Sequence, residues 1–451
     1  MKANFVISDI RNAPGFDSLK LGQRRIAIAA VNGESQLIMG GGGVGKSHLI
    51  RFLSIHIPHL VVTASTGIAS INIEGQTLDS FMGFSKRVTN VAQAAVLDDK
   101  VKDRLAKLES LLIDEVSMVR IDKIEMVNKR LQVAKGNLKP FGGVQIILVG
   151  DFCQLAPVVS NSFADRRFQR EYGDRLFLFE APSYIEGEFI PYVLNEYVRQ
   201  GDPETRRHLR NMRMGHRLDK VTEFLNRSAR GQVSNGALRI CKTNQRVHDI
   251  NVYALSQLKG TAVTAHGVRR GSFPVDLMPA PEKLVLKQGC RLMMCVNKPE
   301  HGFLNGELGT FEGFQGDSLV VALDRGVRVV VEPHEWENHA HDVDEQSDGL
   351  VRKVSGRYTQ FPVKLGYAIT AHKSQGLTLD EAIIDLSGEF NADGLAYVAI
   401  SRIKDLKHLK LVSPLRVSDI RTNEKARRFT FKMSMMALGR DGVFESEKDA
   451  A

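Results

Sequence analysis

A glycine-rich turn between an apolar run and a helix-forming run constrains this chain more than any other feature. The apolar run ends at Met39, and residues 40–47 read Gly-Gly-Gly-Gly-Val-Gly-Lys-Ser. Glycine lets backbone N–H groups turn toward a phosphate, and the helix that follows directs its positive end at the same anion. The order strand, loop, helix therefore predicts a nucleoside triphosphate site, and a glycine-rich turn beside a surface lysine is the weaker alternative.

The residues of this loop have separate expected tasks. Lys46 is expected to reach the β- and γ-phosphates, and Ser47 to bind Mg²⁺. Gln23, upstream of the loop, is well placed to read an adenine edge, although a glutamine there is more often a surface residue. A nucleoside triphosphate with Mg²⁺ is thus predicted, and the remaining nucleotide-binding residues are Gly40, Gly41, Gly42, Gly43, Val44 and Gly45.

Two further apolar runs end in polar residues that suit phosphate chemistry. The run that starts at Ser110 ends in Asp114, placed to hold Mg²⁺, and Glu115, placed to orient and deprotonate the attacking water. The run that starts near residue 144 ends in Gly-Asp, and Gln154 follows, placed to sense the γ-phosphate. Residues 35–158 therefore predict one doubly wound parallel sheet with the nucleotide at its carboxyl edge.

Charge and composition indicate the kind of partner. The 451-residue chain has a formal net charge of +9, which favours a polyanion, nucleic acid first. The loop at 65–81, rich in small and hydroxyl residues, could grip a nucleic-acid backbone or could be an ordinary turn after a strand. Four scattered cysteines predict small buried side chains in a reducing compartment, and no run has membrane-spanning length. We expect a cytoplasmic protein.

The second half of the chain predicts another α/β unit. Helical segments with many arginines occupy 203–230, and the strand–helix rhythm starts again near 237. Short strands with glycine turns follow and predict a β insertion at about 300–360. Within it, the histidines and acids of 332–345 favour a solvated loop over a metal site. The α/β rhythm resumes at 361, and a helix is predicted over 422–438.

Two arginines are candidates for phosphate contact. Arg199 ends an apolar strand, which is unusual for a surface arginine. Arg402 ends a helix-like stretch of small apolar residues, from which a cation could reach a phosphate.

The order of these blocks resembles the RecD/Pif-type branch of superfamily 1 DNA helicases, from Gln23 to about Ser413. The most specific block is Thr-Ala-His-Lys-Ser-Gln-Gly at 370–376, because P-loop proteins at large do not share it. The chain departs from the family at Asp79, where the family usually has histidine. It departs again in its four consecutive glycines, where the family usually places an alanine and a threonine.

The resemblance implies an α/β fold with two RecA-like doubly wound parallel-sheet lobes and a small β-barrel-like insertion in the second. The implied segments are an N-terminal arm at 1–22, lobe 1 at 23–200 with a small insertion at about 82–108, lobe 2 at 201–413, and a C-terminal helix and tail at 414–451. ATP would lie between the lobes, and alternating grips on the strand would give inchworm stepping.

The resemblance also assigns roles to residues. It implies that Arg199 and Arg402 are arginine fingers acting with Lys46, Glu115 and Gln154, and that Gly376 contacts the nucleotide. Phe81, Met82 or Phe84 could split the duplex or could be core residues. The side chains and backbone implied to contact DNA are those of Thr63, Thr66, Gly67, Thr77, Phe81, His372, Lys373 and Ser374.

The implied activity is an ATP-dependent DNA helicase that moves 5′→3′ on single-stranded DNA and unwinds forked duplexes. The alternatives are a translocase or motor subunit that does not unwind, and a protein that uses ATP to switch DNA binding. We expect a bacterial or phage monomer, with replication or recombination proteins as partners.

Overall fold

A computed structural model describes residues 10–85, 88–157, 159, 163–195, 201–229, 233–344, 349–388 and 392–441. The chain divides into two compact units. Unit 1 comprises Met1–Val198, Ala340–Lys353 and Asn423–Ala451, and unit 2 comprises Arg199–His339 and Val354–Thr422.

The regular elements are numbered in chain order. The α-helices are α1 (Leu21–Val31), α2 (Lys46–His56), α3 (Gly67–Asn72), α4 (Leu78–Met82), α5 (Val91–Ala94), α6 (Asp99–Ala106), α7 (Ile121–Lys135), α8 (Phe163–Tyr172), α9 (Pro182–Glu186), α10 (Pro203–Met214), α11 (Leu218–Ser228), α12 (Asn244–Gln257), α13 (Leu395–Ile400) and α14 (Glu424–Asp441). The strands are β1 (Gln36–Gly40), β2 (Leu60–Ala64), β3 (Gln76–Thr77), β4 (Ser110–Asp114), β5 (Gln145–Gly150), β6 (Ile190–Leu194), β7 (Arg239–Cys241), β8 (Val263–His266), β9 (Val268–Gly271), β10 (Lys283–Leu286), β11 (Arg291–Met294), β12 (Leu308–Gln315), β13 (Ser318–Leu323), β14 (Arg328–Val331), β15 (His334–Val343), β16 (Leu350–Gln360), β17 (Val363–Leu365), β18 (Ala368–Thr370), β19 (Ala382–Asp385) and β20 (Leu409–Leu411).

Unit 1 is built on a parallel sheet with strand order β3-β2-β4-β5-β1-β6. Its central strands are continuous apolar runs, as expected for strands that are covered on both faces. Successive residues point to opposite faces, so Leu37 and Leu111 belong to one core cluster while Ile38 and Leu112 belong to the other. The predicted doubly wound sheet is confirmed.

Unit 2 contains a second parallel sheet, with strand order β18-β7-β19-β20. Ile240 of β7 lies opposite Ile369 of β18 and Ile384 of β19, and all three side chains are buried or nearly so. Two parallel-sheet lobes of the RecA-like kind were predicted, and the structure contains both.

The β segment from β8 to β17 is antiparallel, and it belongs to unit 2 except for Ala340–Lys353. Its main sheet has strand order β14-β13-β12-β11-β17, and smaller sheets have orders β15-β16-β9 and β10-β8. These are separate sheets, so the predicted small β-barrel-like insertion is not confirmed among the described residues. The prediction of a solvated loop at 332–345 was wrong over His334–Val343, which forms β15 and buries Trp336.

The structure also bears on the state of the four cysteines and on the length and apolar character of the helices. All four cysteines are buried, as predicted, and none of them forms a disulfide. In the described part of the chain, no helix combines the length and apolar character that crossing a membrane requires.

Candidate active site

The glycine-rich loop connects β1 to α2 with a geometry that only glycine accepts at key positions. Gly43 and Gly45 have φ angles of 82° and 86°, in the left-handed region. A Cβ atom at Gly40 would lie 2.6 Å from Cγ2 of Val44. Lys46 folds its ammonium over the loop, where Nζ donates to the carbonyl oxygens of Gly40 at 2.8 Å and Gly41 at 2.9 Å.

Gln23 is attached to this loop rather than exposed. Its Nε2 donates to the carbonyl oxygen of Gly45 at 3.0 Å, and its Oε1 accepts from the backbone N–H of Lys20 at 2.8 Å. The side chain is buried, although the sequence alone favoured a surface residue. The amide therefore braces the residue that precedes α2.

Asp114 and Glu115 follow β4 at the same edge of the sheet. The backbone N–H of Glu115 donates to Oδ1 of Asp114 at 2.8 Å, and Glu115 adopts a left-handed φ of 53°. Ser65 fixes this turn, because its Oγ donates to the Glu115 carbonyl oxygen at 2.8 Å. Burial and repulsion from Glu115 raise the pKa of Asp114 to about 7, against the opposing charge of Lys46.

Gln154 lies after β5 and is held by a residue that sequence reasoning missed. Its Nε2 donates to Oδ2 of Asp151 at 3.1 Å, and its backbone N–H donates to the Asp151 carbonyl oxygen at 2.9 Å. Asp151 is fully buried. The Gly-Asp pair at the end of the apolar run was the available signal, since a buried acid at a strand's carboxyl end normally has a partner.

The sheet order brings these groups to one edge. Strand β5 lies between β4 and β1, so the carboxyl ends that carry Asp114, Gln154 and the glycine-rich loop are neighbours. Ser47, in the first turn of α2, is exposed beside them. This edge combines backbone N–H donors, a lysine, two carboxylates and an amide, which are the groups that phosphoryl transfer to water requires.

The unit 1 residues predicted to contact DNA divide into two groups. Thr66 and Thr77 cap α3 and α4, where their Oγ1 atoms accept from the backbone N–H of Ala69 and Ser80 at 3.3 and 3.2 Å. Gly67 follows the first cap and is partly exposed. Thr63 is instead 0% exposed and donates to the Leu112 carbonyl oxygen at 2.8 Å. The prediction of a DNA contact by the Thr63 side chain therefore disagrees with its position in the core.

Phe81 and Met82 are core residues in this structure. Both are 0% exposed, and the carbonyl oxygen of Phe81 accepts from Nη2 of Arg104 at 2.6 Å. The ring of His341 meets the Phe81 ring edge-on at 5.7 Å between centroids. The predicted DNA contact of the Phe81 ring is not available here, and of the three wedge candidates Phe84 alone is partly exposed.

Asp79, the departure from the family pattern, is neutralised by a neighbour. Its Oδ1 lies 2.9 Å from Nζ of Lys123. The charges of this ion pair balance, which lowers the repulsion between Asp79 and a nearby phosphate.

In unit 2, the segment 370–376 forms a compact turn after β18. Oγ1 of Thr370 accepts from the backbone N–H of Lys373 at 3.2 Å. The Ser374 hydroxyl is fully buried and donates to the Ala371 carbonyl oxygen at 2.7 Å, so its predicted DNA contact disagrees with the structure. Lys373 is exposed, and Gly376 has a left-handed φ of 83°.

The ring of His372 is half-buried within this turn. Burial lowers the pKa of His372, so its imidazole is neutral at pH 7 and can donate or accept a hydrogen bond without adding charge. The side chain of Lys373 is exposed as a whole, but partial desolvation of its ammonium group and repulsion from Lys364 lower its pKa.

The two predicted arginine fingers have different outcomes. Arg402 is 2% exposed, and it donates from Nε to the Val398 carbonyl oxygen and from Nη2 to Oγ of Ser401, both at 2.8 Å. It therefore turns back onto α13. Arg199 lies outside the described residues.

The fold and this edge together define a P-loop protein with two RecA-like sheets. The description "PIF1-like helicase" belongs to the family model that matches residues 22–172. An ATP-dependent DNA helicase Pif1 of Bdellovibrio bacteriovorus is 30% identical over 392 residues, covering 84% of each chain. The chain belongs to the PIF1-like helicase family.

Solved structures of the family agree with the fold. Bacteroides sp Pif1 in complex with ADP-AlF4 matches with a TM-score of 0.83 and 28% identity, over 92% of this chain and 97% of that one. Pif1 helicase from Bacteroides in complex with ADP-AlF3 and ssDNA matches with a TM-score of 0.65 and 29% identity, over 93% and 98% of the two chains.

Proposed function

We propose that this chain is an ATP-dependent DNA helicase that moves 5′→3′ on single-stranded DNA and separates forked duplexes. The observation that carries the proposal is the convergence of Lys46, the Asp114–Glu115 pair and Gln154 at one sheet edge in a chain of the PIF1-like family. Relatives named as DNA helicases, and one solved with single-stranded DNA, support the substrate.

Lys46 is proposed to exchange partners when ATP binds. Its ammonium now donates to two loop carbonyl oxygens, Gly40 and Gly41, which makes it a preformed donor above the phosphate loop. Phosphate oxygens are stronger acceptors than neutral carbonyl groups, so the charge-assisted bonds to the β- and γ-phosphates would replace them. Gly45 and its neighbours supply backbone N–H groups to the same anion.

The residues present also fit a divalent cation. Asp114 is 6% exposed and is repelled by Glu115, and a nearby cation would relieve that repulsion. Asp114 and Ser47 are proposed to hold Mg²⁺, an ion that prefers oxygen ligands. When bound, Mg²⁺ neutralises charge on the phosphates of ATP.

Glu115 is proposed as the general base. Its left-handed backbone, fixed through Ser65, aims the residue away from the strand direction, and such strained conformations concentrate at functional sites. Gln154 is proposed to sense the γ-phosphate while Asp151 restrains its amide. Arg402 and Arg199 are proposed to stabilise charge that develops on the transferred phosphoryl group.

The DNA contacts are proposed to come from residues that the structure leaves accessible. In unit 1 these are the caps of two short helices, Thr66 and Thr77, with Gly67 between them in the chain. In unit 2 they are Lys373 and the half-buried His372. Short turns with partly exposed polar groups suit contact with a phosphate backbone, and such contacts do not depend on base sequence.

Strand displacement tests the proposal directly. Forked duplexes with a 5′ tail, a 3′ tail or no tail are incubated with the protein and ATP. We expect displacement with the 5′ tail, and none without ATP. If single-stranded DNA stimulates ATP hydrolysis but no strand is displaced, the protein is a translocase. If the rate of ATP hydrolysis is the same with and without DNA, the protein is an ATP-controlled switch.

A further inference from the structure

A basic cavity lies between α10 and α11 of unit 2, and its lining residues belong to none of the helicase motifs. It has a volume of about 320 Å³ and opens to solvent. Its rim carries four exposed cations, Arg207, Arg217, Lys220 and Arg227, and one acid, Glu223. The cavity therefore carries a strong positive potential, which attracts anions.

The cations of the rim are only partly neutralised. Lys220 lies 3.7 Å from the Glu223 carboxylate, and Arg207 lies 3.9 Å from the Glu204 carboxylate. Within the described residues, Arg217 and Arg227 have no carboxylate within ion-pair distance. Two guanidinium groups thus remain available, and their planar donor sets match phosphate oxygens.

The inner wall of the cavity is aromatic and polar. The His208 ring stacks on the Phe224 ring with centroids 4.0 Å apart and planes within 8° of parallel. His208 is 8% exposed, and its Nδ1 is buried without a hydrogen-bond partner among the described residues. A buried nitrogen without a partner is unusual in a folded protein, so this ring retains unused hydrogen-bonding capacity. The Asn211 side chain, on the same helix, adds an amide to this wall.

Electrostatics explains the state of the histidine. Burial and the charges of Arg207 and Arg227 lower the pKa of His208, against the opposing effect of Glu204. The ring is therefore neutral at pH 7 and can act as a hydrogen-bond acceptor. The positive charge of the cavity comes from its arginines and lysine.

The backbone of Arg217, at the mouth of the cavity, has an unusual conformation. Arg217 starts α11 with φ 46° and ψ 44°, a left-handed conformation that is rare for arginine, and it makes no side-chain cap. Strained residues of this kind persist where the surrounding structure requires them, and they concentrate at ligand sites. The conformation places a guanidinium at the uncapped, electropositive end of an eleven-residue helix.

We propose that this cavity binds one nucleotide unit of single-stranded DNA, outside the motif-lined contacts of the helicase. Arg217 and Arg227 hold the phosphate, while Asn211 and His208 meet the polar edge of the base. The identity of the polyanion rests on the proposed function, since a DNA motor has this anion continuously at hand. The site would anchor the strand at a second point on unit 2.

A neutralising pair of substitutions tests the site. Arg217→Asn and Arg227→Gln remove both charges, and asparagine tolerates the left-handed backbone at 217. The control pair Lys259→Gln and Arg270→Gln removes two exposed cations of unit 2 that do not line the cavity. Binding to a fluorescent oligothymidylate is measured without nucleotide over a range of salt concentrations.

The cavity pair should weaken binding about tenfold at low salt and make the log–log salt dependence shallower by about 0.7, which is the contribution of one neutralised phosphate of a single strand. The control pair should do neither. Ultraviolet cross-linking of 4-thiothymidine oligonucleotides should label a peptide from α10 or α11 in the wild type and the control, and lose that label in the cavity pair.

The outcomes separate this site from the helicase activity. Equal salt slopes and equal cross-links in the cavity and control pairs would overturn the proposal, even with unwinding intact. A wild-type protein that binds single strands but does not separate duplexes would refute the proposed function. The salt slopes of the cavity and control pairs would still show whether the cavity binds DNA. Should the first pair fail to fold, Arg207→Gln with Lys220→Gln removes the other two cations and is judged by the same measurements.

Discussion

The backbone N–H of Glu115 donates a hydrogen bond to Oδ1 of Asp114 at 2.8 Å, within a turn whose φ at Glu115 is 53°. This bond joins two consecutive acids with different surroundings. Asp114 is buried in the strand end and carries a raised pKa, whereas Glu115 starts the following turn and is less buried. Environments that separate two carboxyl groups commonly divide their tasks.

Replacing Glu115 with glutamine should separate ATP binding from hydrolysis. We expect kcat for ATP hydrolysis to fall by about 10²–10⁴, the usual contribution of a general base, with ATP affinity retained because the Coulomb repulsion on Asp114 is relieved. Steady-state hydrolysis and nucleotide titration measure both quantities. Glu109→Gln, an exposed glutamate just before the same strand, is the matched control and should behave as wild type. Retained turnover in Glu115→Gln would exclude it as the base.

Lys46→Ala should remove phosphate stabilisation without unfolding unit 1. The side chain is bonded to the loop carbonyl oxygens of Gly40 and Gly41 and fills no core, so stability should change little. Loss of a preorganised charged donor should lower kcat by about 10²–10³. DNA affinity measured without nucleotide should persist. Lys102→Ala, which replaces an exposed lysine on α6, provides the control. Equal rates of ATP hydrolysis in the two variants would contradict the assignment of Lys46 to the nucleotide site.

The sequence was most informative where burial and chemistry coincide. Strands β1, β4 and β5 are apolar runs covered on both faces, so each was visible as a run that stops at Gly40, Asp114 or Gly150. The parallel order then places those ends together. The phosphate loop and the acids could be predicted because strand, turn and side-chain chemistry all agree.

Side-chain direction and long-range pairing were not predictable in the same way. The spacing of the motifs does not predict which way a side chain points. The hydroxyl groups of Thr63 and Ser374 point inward and donate to the carbonyl oxygens of Leu112 and Ala371. Strand β15 was read as a loop because its polar residues lack apolar alternation, and Trp336 alone among them is deeply buried. The sequence shows that residues 203–230 contain many arginines. It does not predict the cavity between α10 and α11, because that cavity depends on how the two helices pack.

Arg402→Lys should test the role of a guanidinium that is now buried. Lysine keeps the charge but cannot reproduce the planar donor set that reaches Val398 and Ser401, so positioning is lost. We expect kcat to fall by about 10³ with little change in ATP affinity, because such a group acts mainly in the transition state. Arg416→Lys, an exposed arginine of the same unit, is the control. Equal losses in kcat and ATP affinity would contradict the assignment.

The raised pKa of Asp114 predicts the direction in which the free energy of unfolding changes with pH. Its pKa is about 7 in the folded chain, above the ordinary value of 3.8, so between those values the folded state holds a proton that the unfolded state has released. The contribution of Asp114 to the free energy of unfolding should therefore be largest below about pH 4 and decline as the pH rises to about 7.

Asp114→Asn abolishes that titration without changing the size of the side chain. The stability difference between wild type and Asp114→Asn, measured by denaturant unfolding at pH 5.0 and pH 7.5, should therefore move in favour of the variant as the pH rises. Glu109→Gln, which removes an exposed carboxyl group just before the same strand, is measured alongside as the control for loss of a negative charge. Since the same proton competes with a divalent cation for the carboxylate, Mg²⁺-dependent ATP affinity of the wild type should also rise through about pH 7. A pH-independent difference between wild type and Asp114→Asn would show that Asp114 is ionised throughout and that its burial is compensated by another charge.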